Sequence, residues 1–208
     1  MGTHRDRPGC YDDLNDFLEA LSDQGDLIRI AEQVSPRFEI SAILEGLAER
    51  DGPAALMTDV AEHPGNVVAG NVMGHRRRIA SSLGVEEAHL TDAYLERKES
   101  RIEPTLTDIA PIKAVSVPPE ELDLLSLLPA LVHHEEDASP YLTCAVTFAR
   151  NPETGLQTMG LHRIQIQSGT TLGIFLGTPP LAHFLHKARE MERPLEVAVV
   201  IGPDPVSY

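Results

Sequence analysis

The hydrophobic positions of the first hundred residues follow two alternating patterns. Four apolar residues recur at the three- and four-residue spacing of an amphipathic helix: Leu14, Phe17, Leu18 and Leu21. Gly25 would end this helix, and the stretch DLIRI after it has the short apolar character of a strand. Because helix and strand continue to alternate, the pattern predicts an α/β domain over residues 12–100. Residues 1–11 are predicted to form a flexible tail.

A second helix is predicted from the stretch SPRFEISAILEGLAERDG. Ser35 would be its N-cap, Pro36 would occupy its first turn, and Gly52 would end it. Its apolar face would hold Ile40, Ile43, Leu44 and Leu47. Further along, the short apolar runs AALMTDV and NVVAGNVMG predict strands, while HRRRIASSLGV and EEAHLTDAYLERKES predict helices.

The character of the chain changes at residue 101. Prolines recur and helical periodicity is absent before Glu120, which predicts a proline-rich connector over residues 101–125. A β region is predicted over residues 126–208. In it, YLTCAVTFAR and LQTMGLHRIQIQ flank NPETG, whose residue types suit a hairpin turn. The segments that follow predict a strand (TTLGIFLGTPP), a helix (LAHFLHKAREMER) and a buried strand (PLEVAVVIGPDP).

The second strand of the predicted hairpin carries an arginine. Side chains alternate between the faces of a strand, so two sets are predicted: His162, Ile164 and Ile166 on one face, and Leu161, Arg163, Gln165 and Gln167 on the other. An arginine beside a glutamine can bind a carboxylate or a phosphate. The alternative is a solvated strand face with an ion pair, and the residues alone favour it because most arginines are exposed.

The composition of the chain excludes some classes of binding partner. The chain has 208 residues, of which 42% are hydrophobic, and a formal net charge of -15. This charge argues against nucleic acid or an anionic membrane as the main partner, because both require a basic surface. Cys10 and Cys144 form no CxxC pair, no apolar leader begins the sequence, and no apolar run approaches the ~20 residues that span a bilayer. We expect a cytoplasmic protein with reduced thiols.

Two groups of histidines are candidate metal ligands, but their spacing favours other roles. The run HHEED at residues 133–137 has adjacent histidines that would diverge, so a solvated loop is predicted. His183 and His186 have a workable ligand spacing on a predicted helix, but no third ligand is evident, which favours surface histidines. No P-loop, GxGxxG or GxSxG motif is present.

Four segments together resemble the UbiD-type decarboxylases, which use prenylated flavin mononucleotide (prenylated FMN). They cover nearly all of residues 12–208 in the family's order: LNDFLEALSDQGDLIRIAEQVSPRFEISAIL, GNVMGHRRRIASSLGV, YLTCAVTFARNPETGLQTMGLHRIQ and PLEVAVVIGPDP. The resemblance implies an α/β (α+β) fold, with an N-terminal α/β domain followed by part of a flavin-binding split β-barrel. It also implies reversible, non-oxidative decarboxylation of an aromatic or α,β-unsaturated carboxylic acid.

The resemblance also implies a set of site residues. Arg163 would approach the substrate carboxylate and serve as the catalytic residue. The cofactor would be held by Thr143, Thr158, Gly160, Leu161, His162, Arg163 and Gln165. The flavin derivative supplies the chemistry, and the protein orients it.

The metal contacts depart from the family's pattern. The family uses a divalent metal (Mn²⁺ or Mg²⁺) and K⁺, and Thr158 stands where its metal-binding Asn is expected. A hydroxyl is a poorer ligand than an amide carbonyl. The family's loop histidine aligns near Gly177, so His183 could replace it only if the loop shifts. The third ligand and the catalytic acids align beyond Tyr208.

The ending at Tyr208 suggests two readings of the chain. A half-built barrel would leave an apolar edge, so either the sequence is a fragment or a separate chain completes the barrel, and we favour a fragment. By resemblance, we expect a homodimer or higher homo-oligomer, with a flavin prenyltransferase supplying the cofactor. The alternatives are a non-catalytic UbiD-like scaffold and an ordinary FMN-binding split barrel.

Overall fold

The computed structural model describes residue 9 and residues 11–100, 102–108 and 110–208. Its six α-helices are α1 (Leu14–Asp23), α2 (Glu39–Ala48), α3 (Arg76–Ser82), α4 (Leu90–Glu99), α5 (Leu124–Leu127) and α6 (Leu181–Glu190). Its seven strands are β1 (Leu27–Ile30), β2 (Ala54–Met57), β3 (Val68–Gly70), β4 (Tyr141–Arg150), β5 (Gln157–Ser168), β6 (Thr171–Ile174) and β7 (Val197–Val200). The predicted helices and strands are present in the predicted order, and the chain has the mixed fold expected for the family.

The N-terminal part contains a three-stranded sheet in the order β1-β2-β3. β1 runs parallel to β2, and β3 runs antiparallel to it. On one face of β2, Ala54 packs against Phe17 and Leu21 of α1. On the other face, Ala55 and Met57 pack with residues of α2 and the loops beside it, including Ile40, Val34 and Val60. Since helices cover both faces, β2 is a continuous apolar run.

The start of α2 differs from the prediction. The helix begins at Glu39, so the expected N-cap at Ser35 and first turn at Pro36 are wrong. The intervening residues pair with the second half of the chain instead: the Val132 amide donates to the Pro36 carbonyl at 3.1 Å, and the Phe38 amide to the Val132 carbonyl at 2.9 Å. These tertiary hydrogen bonds hold the backbone out of the helix, and Phe38 adopts a φ of 70°.

The C-terminal part contains a four-stranded antiparallel sheet in the order β6-β5-β4-β7. One face is covered by apolar residues of α5, β6 and the loops, and Ala145, Ile164 and Ile166 are buried there. At the other end of that face, Leu181 and Phe184 of α6 pack against Ala149. Ile164 and Ile166 thus share one face as predicted, and the structure shows that this face is the buried one.

β7 was predicted to be buried, and this is wrong. It pairs only with β4 among the described strands, and Val197 is 47% exposed. An apolar strand sequence is compatible with a buried strand or with an edge strand, and the sheet order alone decides between them.

The remaining sequence predictions concern the connector and the first residues. The connector is exposed, with Ile102 and Leu106 each more than 90% accessible to solvent. Most of the tail, including Cys10, lies outside the described residues, although the Tyr11 ring packs edge-on against Phe17 at 4.9 Å between centroids. Within the described ranges, none of the helices has the length and apolar character needed to cross a bilayer.

Candidate functional site

Hydrogen bonds in the turn stabilise the hairpin that carries Arg163. The Asn151 side-chain oxygen accepts from the amides of Glu153 and Thr154 at 2.8 and 3.1 Å. The Asn151 backbone bonds to Gly155 and Leu156, and Gly155 has a φ of 74°, which glycine adopts without strain. The sequence NPETG thus fixes the register that places β5 beside β4.

One face of β5 changes from apolar to polar along its length. Met159 and Leu161 are about half exposed, at 48% and 54%. Arg163, Gln165 and Gln167 continue the same face, and the Gln167 amide nitrogen donates to the Gln165 side-chain oxygen at 3.3 Å. An apolar surface that ends in a cationic group suits a flat, ring-shaped ligand bearing an anion.

The Arg163 guanidinium has an unusual environment. It is exposed, and none of its nitrogens makes a hydrogen bond or ion pair with the part of the chain that the structure describes. The ion pair of the alternative interpretation is thus absent from these residues. The guanidinium lies over the Tyr141 ring, whose centroid is 5.4 Å from the guanidinium carbon. The donors of Arg163 are therefore available to an anionic ligand.

A β-bulge lies directly opposite Arg163. Leu142 pairs with Ile164 and Ala145 pairs with His162, so Thr143 and Cys144 together face the single residue Arg163. Bulges recur next to active sites, where they redirect side chains. Thr143 is exposed at this point and lies opposite Arg163, another residue that the sequence resemblance assigned to the cofactor site.

The bulge also brings Cys144 towards the last residue. Desolvation by burial raises the pKa of the Cys144 thiol, although hydrogen bonds from its own backbone and from Tyr208 act in the opposite direction. The same desolvation, together with the charge of Cys144, raises the pKa of Tyr208 to about 12. Both groups are thus neutral at physiological pH and leave Arg163 without a counter-ion here.

The opposite face of β5 carries the remaining predicted cofactor contacts. Thr158, Gly160 and His162 alternate on the side of Ile164. A His162 ring nitrogen lies 3.0 Å from the Gly160 carbonyl, and a β-carbon at Gly160 would approach that ring to 3.2 Å. The glycine thus gives the imidazole room. Their side chains are directed away from Arg163, so only their backbone could share its ligand.

The predicted metal residues share one side of the sheet. Thr158 pairs with Ala149, which packs against α6, and His183 is an exposed residue of α6. His186 lies at the surface and its ring is 3.1 Å from Glu190. Across the described ranges, no three His, Cys, Asp or Glu side chains form a group that could hold a metal ion.

The HHEED run forms the predicted loop. Asp137 organises it, because its carboxylate accepts from the backbone amides of His133 and His134 at 3.0 Å each. These bonds hold the pKa of Asp137 below its ordinary value. The carboxylate thus stabilises the turn of this loop.

Sequence reasoning missed Tyr141. Its contact with Arg163 depends on the strand pairing, since Tyr141 stands opposite Gln165 and is thus a diagonal neighbour of the arginine. An aromatic residue two positions before the predicted Thr143 contact was the available signal, and only a register could give it meaning.

Comparison with known proteins adds family and structural relatives. The model of the 3-octaprenyl-4-hydroxybenzoate carboxy-lyase N-terminal domain matches residues 18–98, and that of the Rift-related domain of the same family matches residues 105–208. A phenolic acid decarboxylase of Streptomyces sp. (strain D7) is 30% identical over 95% of this chain. An anhydromevalonate phosphate decarboxylase of Methanothermobacter thermautotrophicus is 28% identical over 93% of it.

The similarity extends to solved structures. An evolved dimeric form of the UbiD-class enzyme HmfF from Pelotomaculum thermopropionicum, solved in complex with prFMN, matches with a TM-score of 0.88 and 31% identity over 94% of this chain. The match covers 45% of HmfF, and the chain spans 44% and 43% of the two sequence relatives. Two family models in tandem and a shared fold lead to one conclusion: the chain belongs to the UbiD carboxy-lyase family.

Proposed function

We propose that this chain supplies part of the active site of a non-oxidative decarboxylase that uses prenylated FMN and acts on an aromatic or α,β-unsaturated carboxylic acid. The observation that carries the proposal is the Arg163 guanidinium, which has no hydrogen-bond or ion-pair partner among the described residues and lies at the polar end of an apolar strand face. Family relatives that are decarboxylases, and one solved with prFMN, support it.

The strand face fits the proposed cofactor. Leu161 and Met159 offer an exposed apolar surface to a flat ring system, and Arg163 offers donors to an anionic group at its end. Thr143 in the bulge and Gln165 flank the arginine, while Gly160 and His162 would contribute backbone contacts. The bound cofactor would supply the electrophilic ring to which the substrate adds.

Within this proposal, the role of Arg163 is to bind and orient. A guanidinium can hold a carboxylate through two parallel hydrogen bonds, which fixes its position over a neighbouring ring. Because the arginine stays charged, it would favour the bound carboxylate until carbon dioxide leaves. This proposal assigns the proton that replaces the carboxylate to none of the described residues.

The proposed metal contacts are incomplete within the described residues. Thr158 offers one hydroxyl and His183 one imidazole, and no group of three ligands accompanies them. The proposal therefore assigns no step to Mn²⁺, Mg²⁺ or K⁺. Thr158 and His183 stay the proposed contacts of this chain. We also propose a cytoplasmic homo-oligomer that receives its cofactor from a flavin prenyltransferase.

The proposal is tested with the protein in the longest form that its natural reading frame encodes, loaded with prenylated FMN. We expect carbon dioxide release from at least one member of a panel of cinnamic, benzoic and furoic acids. Replacing Arg163→Ala should lower kcat/KM by at least about a hundredfold, because one charged contact to the reacting group is lost.

Arg150→Ala is the matched control, since Arg150 is an exposed arginine of the same hairpin. It should leave kcat/KM within about twofold of the wild type, as surface substitutions usually do. Equal activity of the Arg163→Ala variant and the wild type would refute the assigned role. Absence of turnover across the panel by the loaded protein would refute the proposed reaction.

A second candidate function is a non-catalytic scaffold of the same family. Thr158 favours it, because a hydroxyl replaces the expected amide ligand. The scaffold predicts a protein that does not retain flavin during gel filtration after incubation with prenylated FMN and Mn²⁺. The decarboxylase predicts retained absorbance, and a Thr158→Asn variant should strengthen retention if the metal contact limits binding.

A further inference from the structure

We infer that Tyr141 is the positioning residue of Arg163: its ring holds the guanidinium on the strand face and leaves the arginine donors free for a carboxylate. The inference deepens the proposed function and rests on it for the identity of the ligand. The geometry itself is a property of this chain and can be measured without turnover.

The Arg163 guanidinium and the Tyr141 ring form a cation–π contact. The Arg163 guanidinium carbon lies 5.4 Å from the Tyr141 ring centroid, within the range of a cation–π interaction. Such a contact uses the face of the ring and consumes no hydrogen-bond donor. An aspartate or glutamate in the same place would neutralise the arginine and compete with the substrate for its N–H groups.

The second step is the rigidity of Tyr141. Its backbone is fixed on both sides, because Tyr141 pairs with Gln165 of β5 and its amide donates to the Leu131 carbonyl at 2.9 Å. The preceding Pro140 carbonyl accepts from the Ile166 amide at 2.9 Å. A ring mounted on a backbone bonded at both edges restricts where the long arginine side chain can go, which lowers the entropy lost on binding a ligand.

The third step is the absence of competing partners. Opposite Arg163, the bulge presents Thr143, which carries no charge, and Cys144, whose thiol pKa is raised by burial. The Gln165 side-chain oxygen, an acceptor on the same strand face, accepts from Gln167 at 3.3 Å. Among the described residues, the ring is thus the contact that determines the position of the guanidinium.

The Tyr141 ring should increase the affinity of the protein for small carboxylates. Removing the ring should let the guanidinium sample more conformations and weaken binding by about two- to fivefold, the equilibrium effect expected of an exposed cation–π pair. A larger aromatic face should hold the cation equally well or better. The phenolic oxygen plays no part in this contact, so Phe should replace Tyr without loss.

The experiment compares Tyr141→Leu, Tyr141→Phe and Tyr141→Trp in the full natural chain labelled with ¹³C-arginine. The first readout is the NMR shift of the Arg163 side-chain protons, assigned with an Arg163→Lys variant. The ring current of Tyr141 should displace these signals in the wild type, Phe and Trp proteins, and Leu should abolish the displacement. The second readout is the Kd of benzoate, titrated without substrate turnover.

The matched control is Tyr94→Leu, because Tyr94 is an exposed tyrosine on α4. It should change neither the Arg163 signals nor the Kd of benzoate. Thermal unfolding of every variant separates loss of contact from loss of fold, and if Tyr141→Leu does not fold, the comparison of Phe with Trp retains the test through the size of the ring current.

The inference is overturned if Tyr141→Leu leaves the Arg163 signals and the Kd unchanged, or if Tyr141→Phe weakens binding as much as Leu does. A wild type that shows the ring-current shift but binds no benzoate would count against the proposed carboxylate function alone. A wild type that shows neither the ring-current shift nor benzoate binding would count against the positioning role itself.

Discussion

At the scale of single residues, a buried arginine in the N-terminal part is held by a network of charged hydrogen bonds. Arg78 is only 1% exposed, and its guanidinium donates to Asp26 at 3.0 Å and to the Val72 carbonyl at 3.1 Å. Arg77 adds two hydrogen bonds of 2.9 Å to the same carboxylate. Burial would raise the pKa of Asp26, but the hydrogen bonds and charges of the two arginines outweigh it and lower that pKa.

We predict that Asp26→Asn lowers the free energy of unfolding by about 3 kcal/mol at pH 7, because it leaves the buried Arg78 charge without its partner. A carboxylate with a lowered pKa stabilises the folded state above its unfolded pKa, and this stability is lost as the pH falls through the lower folded value. The difference between wild type and variant should therefore shrink below about pH 4.

Urea denaturation at a series of pH values measures this difference. Asp23→Asn is the control, since Asp23 is exposed at the end of α1 and should show little effect at any pH. A difference between wild type and Asp26→Asn that stays constant from pH 7 to pH 3 would contradict the assignment of the charge network.

At the scale of elements, the β4–β5 hairpin positions the site. Its ten- and twelve-residue strands are aligned by the Asn151 turn, and the bulge then places Thr143 and Cys144 opposite Arg163. A register shift of one residue would move Arg163 to the face that packs on α5 and β6. The turn thus determines on which side of the sheet the cation lies.

We predict that Asn151→Ala destabilises the protein by about 1–2 kcal/mol, because two backbone amides lose their shared acceptor in a buried position. Asn151→Asp keeps the acceptor oxygen and should recover most of the loss. The midpoint of urea unfolding measures both variants, and equal destabilisation by Ala and Asp would show that the side-chain acceptor is not what stabilises the turn.

At the scale of the whole molecule, the two parts share hydrogen bonds, and β7 is one of the edge strands of the C-terminal sheet. Segments around Arg37 and Val132 pair across the parts, and the side-chain amide nitrogen of Asn66 donates to the Leu127 carbonyl at 3.1 Å. β7 has no partner on its outer edge within the described residues. An apolar edge strand of this kind is a site for pairing with another chain.

We predict that the isolated 208-residue chain self-associates through β7 and that Val197→Lys shifts it towards the 22.7 kDa monomer. A charged side chain on an edge strand opposes edge-to-edge pairing. Val115→Lys is the control, because Val115 is 82% exposed on the connector and away from the sheet. Sedimentation equilibrium measures the mass, and a wild-type chain that is monomeric at all concentrations would contradict the prediction.

The sequence by itself determined the order and type of the elements other than the short helix α5, and it indicated the family. Helical spacing in α1, turn residues in NPETG and alternation around Ile164 are local signals, so they could be interpreted without knowing the fold. Tertiary structure alone decided three features. Pairing with Val132 delayed the start of α2, sheet order made β7 an edge, and the β4–β5 register placed Tyr141 against Arg163. Each feature depends on contacts between residues that are distant in sequence. The free energy of these contacts outweighs or adds to the local preference of the chain, so no short stretch of sequence reveals them.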